Sequence, residues 1–315
     1  MYRWIKSVLA ASSLSLLAAC GGTDDEVRVV NIVQTAQADP QFSILVEAVT
    51  AADLGTTLSG TGPFTVFAPT NAAFAALLTE LGITKEALLA NKPLLSAVLT
   101  YHVLPSQVLR ANVPAGKAIT TVQGGIFKVD AVGSGLQITD GRNRVTNLVR
   151  TDLAATNGVI HVVDKVLLPA DKTVVQTAVA LAGSPQPQFT VLVEAVVAAG
   201  LADTLGGAGP FTVFAPTDAA FTALLAELGI SKAALLANRA LLTQVLTYHV
   251  LPGRALKADI VPNTAITTVQ GQTFTISPAL AITDQRGRSA NIVATDTLAS
   301  NGVIHVIDRV ILPRP

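Results

Sequence analysis

Cysteine, tryptophan and methionine occur once each in this 315-residue chain, and histidine four times. A single cysteine makes no internal disulfide, so the fold must hold by packing alone. A structural zinc site takes four Cys or His ligands. Four separated histidines, with no close His-His or His-Glu spacing, give no reason to expect a metal. Charged residues make up only 13%, about half the usual share. Twenty-one basic residues balance twenty-one acidic ones, so no basic field exists to collect nucleic acid. Catalytic signatures are missing too: there is no Gly-x-Ser-x-Gly elbow and no phosphate-cradling glycine loop. Asp152, Asp164, Asp296 and Asp308 are conceivable acids or bases. Turn capping, or pairing with Lys165 and Arg309, is the plainer role. Neither an enzyme nor a cofactor is expected.

What the chain does have, it has twice. Gly62-Pro-Phe-Thr-Val-Phe-Ala-Pro-Thr70 returns unchanged at 209–217, an offset of 147. Val98-Leu-Thr-Tyr-His-Val-Leu-Pro105 returns at 245–252, and Ile119–Gly124 at 266–271. Asn157-Gly-Val-Ile-His-Val162 returns at 301–306, now at offset 144, so three residues are missing between Gly271 and Thr283. All ten Phe and all four His fall into pairs under this alignment. The period is the length of a domain, not of a solenoid repeat. Residues kept by both copies are mostly those that fill one core.

The start of the chain differs from both copies. Arg3 and Lys6 precede an apolar run, Val8–Ala19, of signal-peptide length and too short to span a bilayer. It ends in Leu17-Ala18-Ala19-Cys20, which resembles a bacterial lipobox. The resemblance implies cleavage before Cys20 and acylation of its sulfur and new amino group. An ordinary secretory signal carrying a chance cysteine is the alternative. Several acyl chains would anchor the protein nearly permanently. Cleavage would leave 19 basic and 21 acidic residues, a net charge of −2. The expected layout is a signal peptide over 1–19, an anchor and tether over 20–26, and domains over 27–169 and 170–315. The expected location is the cell envelope, lipid-anchored after export. Gly21 rather than Asp after the cysteine points to an outer membrane where two are present.

Within one copy, a helical half precedes a β half. Helical spacing over 27–36 and 42–52 is punctuated by Asp39-Pro40. Phe64–Ala68 reads as a buried strand, and Pro69-Thr70-Asn71 as the cap of a helix carrying Phe74, Leu77, Leu78 and Leu81. Two short helices follow at 85–90 and 93–100, and Tyr101–Leu104 reads as a strand. Strands are then expected at 118–122, 126–129, 136–139 and 145–149. Val159–Leu168, apolar on both faces, reads as a central strand. Asn157-Gly158 suits a tight turn before it. The fold class is α+β. Pro169–Lys172 is a short join that limits relative motion.

Three ordered blocks carry a resemblance to the fasciclin domain family: Thr65–Phe74 with 212–221, the Tyr101-His102 and Tyr248-His249 pairs, and Asn157–Pro169 with 301–313. The resemblance covers 27–313. It implies tandem domains, each a β-sandwich with packed helices, used in adhesion and extracellular-matrix contact without catalysis. It also implies candidate partner-contact residues. By position these are Tyr101, His102, Tyr248 and His249, and the pair Asp152-Leu153, matched in the second copy by Asp296-Thr297. Apolar neighbours such as Val98, Leu99, Val103 and Leu104 argue that the Tyr-His pairs are buried and satisfied internally. Partners in this reading are the membrane, through the anchor, and a surface or matrix protein or polysaccharide. A carrier of a small apolar ligand, lipid or pigment, is the competing function, since Ala- and Leu-rich helices can leave a cavity.

Overall fold

The computed structural model of the protein describes residues 30–184 and 188–315. The expected signal peptide, Cys20 and the expected tether lie outside these residues. Domain 1 runs α1 (Ile32–Ala38), α2 (Ser43–Ala51), α3 (Gly55–Ser59), β1 (Phe64–Pro69), α4 (Asn71–Leu81), α5 (Lys85–Ala90), α6 (Lys92–Tyr101), β2 (Val103–Leu104), β3 (Ala118–Thr120), β4 (Ile126–Val132), β5 (Gly135–Thr139), β6 (Val145–Ala155) and β7 (Gly158–Val163). Domain 2 repeats the order as α7 (Val174–Ala182), α8 (Thr190–Ala199), α9 (Ala202–Gly206), β8 (Phe211–Pro216), α10 (Asp218–Leu228), α11 (Lys232–Ala237), α12 (Arg239–Tyr248), β9 (Val250–Pro252), β10 (Ile266–Thr267), β11 (Thr273–Ile276), β12 (Ala281–Thr283), β13 (Ser289–Ala299) and β14 (Gly302–Ile307).

Each sandwich is one continuous seven-stranded sheet bent over on itself, in domain 1 with the order β2-β1-β7-β6-β5-β4-β3. The bend lies in β6, which pairs with β5 through 145–147 and with β7 through 148–155, with two register shifts along the way. Such bulges turn a strand and increase its twist. β1 and β7 run parallel, Phe64 opposite Gly158 through Pro69 opposite Val163. The central placement of β7 holds, and all six of its residues are buried. Its faces divide by alternation. Ile160 and Val162, with Val66 and Ala68 of β1, meet the helices. Val163 and Phe67 face the second core, between the halves of the sheet, with Tyr101, Phe127, Val129 and Ile138. The deletion shortens the β11–β12 hairpin relative to β4–β5.

Sequence expectations change at the closing strand, which ends at Val163 rather than Leu168, and at the caps. Thr70, not Asn71, caps α4, through its hydroxyl accepting the Ala73 N–H at 3.2 Å. Asn71 instead reaches back to α2, accepting the Ile44 N–H at 3.0 Å and donating to Pro40 O and Ser43 Oγ. Asp218 takes only the accepting part of that role, from the Val191 and Thr190 N–H groups. Asn157 also caps at a distance, accepting the Ile32 N–H at 3.0 Å and donating to Leu58 O and Gly60 O. Gly158 follows because a Cβ there would lie 2.0 Å from Phe64 O. The expected tight turn is also there: Thr156-Asn157 is the two-residue connection of the β6–β7 hairpin, with Ala155 opposite Gly158.

Candidate functional site

The Tyr-His pairs end helices rather than forming strands. Tyr101 closes α6 and His102 is its C-cap; Tyr248 and His249 do the same for α12. All four side chains are buried. The Tyr101 hydroxyl donates to Ile126 O, and its ring meets Phe127 edge-on at 6.0 Å. Phe127 in turn packs edge-on against Phe67 at 5.1 Å. In domain 2 the Tyr248 hydroxyl lies 2.9 Å from Thr273 O and accepts the Gln285 N–H. Burial raises both phenols, that of Tyr248 to about 12. His102 donates from Nδ1 to Val98 O at 2.7 Å and accepts the Leu167 N–H on Nε2 at 2.9 Å. His249 bridges Val245 O and the Ile311 N–H likewise. Burial depresses both imidazoles to about 4, so they are neutral cross-links between a helix end and the segment after the central strand. A direct macromolecular contact through Tyr101, His102, Tyr248 or His249 is therefore corrected: all four side chains lie beneath the protein surface.

Asp152 and Leu153 are different. The bulge in β6 holds Asp152 in the left-handed region, φ 59°, and its counterpart Asp296 at φ 60°. The Asp152 N–H donates to His161 Nδ1 at 3.2 Å, which leaves His161 Nε2–H to donate to Val108 O at 2.8 Å. His305 is fixed the same way by the Asp296 N–H and Ala255 O. Burial lowers the pKa of both histidines. One carboxylate oxygen of each aspartate accepts a backbone N–H: Arg110 on Asp152 at 2.9 Å, Lys257 on Asp296 at 2.8 Å.

The copies diverge at the second oxygen. In domain 2 it accepts Lys128 Nζ from domain 1 at 2.9 Å, and the Asp296 side chain is 4% exposed. Lys128 also meets Asp130 at 3.2 Å. Asn143 completes the domain contact, donating to Leu298 O at 3.0 Å and accepting the Leu298 N–H at 2.6 Å. Ile126 is buried among Leu256, Leu298 and Val303. In domain 1 the same oxygen of Asp152 has no partner among the described residues, and the side chain is 40% exposed. Leu153 is half-buried. The pairing of aspartates with Lys165 and Arg309 does not form; Asp164 and Asp308 instead bind Asn147 and Asn291.

Sequence reading missed the residues that join the domains. Lys128 and Asn143 have no counterpart cation or amide in the second copy, which carries Thr275 and Gly287. That breach of the repeat was the available signal. It also missed Asp140, fully buried, which binds Arg144 and the Arg142, Arg144 and Leu168 N–H groups and ties the β5–β6 turn to the segment after β7. Each domain has an apolar cavity between its first two helices and the sheet. It is about 130 Å³ in domain 1, floored by Phe67 and His102, and about 60 Å³ in domain 2. Among the described residues no three His, Cys, Asp or Glu side chains could share a metal, and no helix is long and apolar enough to cross a membrane.

A fasciclin domain model matches residues 40–169 and 187–313. The chain is 30% identical over 258 residues to the transforming growth factor-beta-induced protein ig-h3 of Sus scrofa, covering 81% of this chain and 35% of that one. It thus spans about a third of that relative's length. Protein sll1483 of Synechocystis is 44% identical over 144 residues, 44% of this chain and 74% of that one. A solved FAS1 domain pair from the insect cell adhesion molecule fasciclin I is 18% identical, covers 89% of this chain and 95% of that one, and superposes with a TM-score of 0.43.

Proposed function

Because this chain belongs to the fasciclin domain family, we propose that it is a non-enzymatic adhesion protein of the cell envelope, contacting a surface or matrix protein or polysaccharide. Acylation of Cys20 holds it at the membrane in this reading, and the contact surface is the Asp152-Leu153 bulge of domain 1. The observation that carries the contact site is the divergence of the two bulges. Asp296 is consumed inside the molecule, whereas Asp152 keeps a rigidly placed, unpaired carboxylate oxygen at the surface.

Beads coated with the two-domain chain test it. Attachment to the producing cells and to their extracted matrix is expected, with at least a severalfold loss in the Asp152→Asn protein. No attachment by the parent protein overturns adhesion. For the anchor, mass spectrometry of the amino-terminal peptide is expected to show a lipid-modified Cys20. An unmodified cysteine in membrane-fractionated protein would remove that part of the proposal.

The cavities favour a narrower form of the carrier function. A cavity of about 150 Å³ takes a benzene-sized guest, whereas pockets for drug-sized ligands run to roughly 300–1,000 Å³. The space of about 130 Å³ in domain 1 thus suits one small apolar group, not a whole pigment. Native mass spectrometry after gentle purification decides it; bare polypeptide only would end this reading.

A further inference from the structure

The structure contains its own template for what the Asp152 face binds. On domain 2, domain 1 satisfies three groups at once. Lys128 pairs with the free oxygen of Asp296, the Asn143 amide takes both the N–H and the C=O of Leu298, and Ile126 covers Leu256. On domain 1 the three equivalents are open. Asp152 has its free oxygen. Ala154 stands where Leu298 does, in the same register against β7, Ala154 opposite Val159 as Leu298 is opposite Val303. It therefore turns its N–H and C=O outward, as Leu298 does, and it is exposed. Leu109 is 41% exposed where its counterpart Leu256 is 0%.

We propose that this face of domain 1 docks a protein strand presenting an aliphatic residue with a lysine two positions on, flanked by a side-chain amide: the chemistry of Ile126-Phe127-Lys128 and Asn143. The proposal rests on the adhesion reading for its biological use, and names the partner class of that same site. A second copy of this chain does not fit. Each copy's Ile126, Lys128 and Asn143 are already engaged, and domain 2 offers Thr273, Thr275 and Gly287 at the equivalent positions. The acceptor face is thus duplicated while the donor edge is not. The pair cannot extend head to tail, and its open end is left for a different protein.

The missing donor edge can be restored. The full two-domain chain carrying Thr273→Ile, Thr275→Lys and Gly287→Asn would present on domain 2 what domain 1 presents now. Gly287 has φ 72° and Asn143 φ 62°, so asparagine accepts that backbone. Sedimentation velocity is expected to show concentration-dependent self-association of this variant, while the parent stays monomeric. Adding Asp152→Asn, which retains an oxygen for the Arg110 N–H but loses the charge, is expected to weaken association by about tenfold or more. The double variant Thr275→Lys/Gly287→Asn serves if the triple variant does not fold. A folded variant that stays monomeric, association indifferent to Asp152→Asn, or association of the parent would each overturn the proposal. Bead adhesion separates the two readings. Parent beads that attach with Asp152→Asn beads attaching equally well sink this docking face and spare adhesion. Failure of the parent beads sinks adhesion and leaves the sedimentation result to judge the face.

Discussion

His102 and His249 each join a helix end to the last buried segment of their domain through both ring nitrogens. Their folded pKa, about 4, lies below the ordinary 6.5. Between those values the unfolded chain binds protons that the native state refuses, so stability is full above about pH 6.5 and falls as pH drops toward 4. His161 and His305 shift the same way. At about 1.4 kcal/mol per pH unit, each of the two fully buried rings withdraws roughly 3 kcal/mol by the acid limit. Urea denaturation at pH 7 and pH 4.5 is expected to show that loss, and the His102→Gln/His249→Gln protein a lower midpoint at pH 7 with a flatter pH dependence. A wild-type midpoint that does not move would contradict neutral native histidines. The tyrosines are structural by the same reasoning. Tyr101→Phe leaves Ile126 O without its donor and is expected to cost about 1–3 kcal/mol in thermal denaturation. Composition and spacing alone exposed this much, since apolar residues flank Tyr101-His102 on both sides. They did not reveal that the pair sits at a helix end, because Tyr-His-Val-Leu has the β-branched and aromatic character of a strand.

At the scale of elements, the readable parts were those with a clean period or a strong cap. β1 and α4 fall where an apolar, β-branched run and helical spacing put them, and two-sided burial placed β7 at the centre, though it ends at Val163 and not at Leu168. The long β6 was not readable past Val149. Two bulges interrupt its pairing, and Arg150-Thr-Asp152 is polar throughout, so the residue types there carry no alternating apolar face although their exposure alternates. Yet that stretch carries the candidate site, because the bulge is what turns the Asp152 N–H onto His161 and its carboxylate outward. The long-range caps were equally hidden, since nothing local links Asn71 to α2 or Asn157 to α1. Asn71→Ala strips the α2 N-terminus of its acceptor without touching the Thr70 cap of α4. It is expected to cost about 0.5–2 kcal/mol. Hydrogen exchange should accelerate in 43–51 before it does in 71–81; equal acceleration in both would assign the cap wrongly.

At the scale of the whole molecule, duplication explains the fold and departure from duplication explains the arrangement. Both copies build the same aspartate bulge, and only domain 1 builds the edge that grips one. The short join at Pro169–Lys172 was the ground in the sequence for expecting restricted motion; the Lys128–Asp296 and Asn143–Leu298 contacts add a second physical ground for the same expectation. Removing one member of a buried ion pair costs about 3–5 kcal/mol when the other stays dry. Here the domains can part and let water reach Asp296, so the lower end or less is expected. The cost falls on the domain contact and not on either core. Calorimetry of the parent should therefore give one coupled transition, and Lys128→Ala/Asn143→Ala two separated ones. Small-angle scattering should report a larger radius of gyration for the variant, with far-UV circular dichroism unchanged. A single transition at unaltered temperature, with scattering unchanged, would mean that the two domains are held together by something other than these four residues.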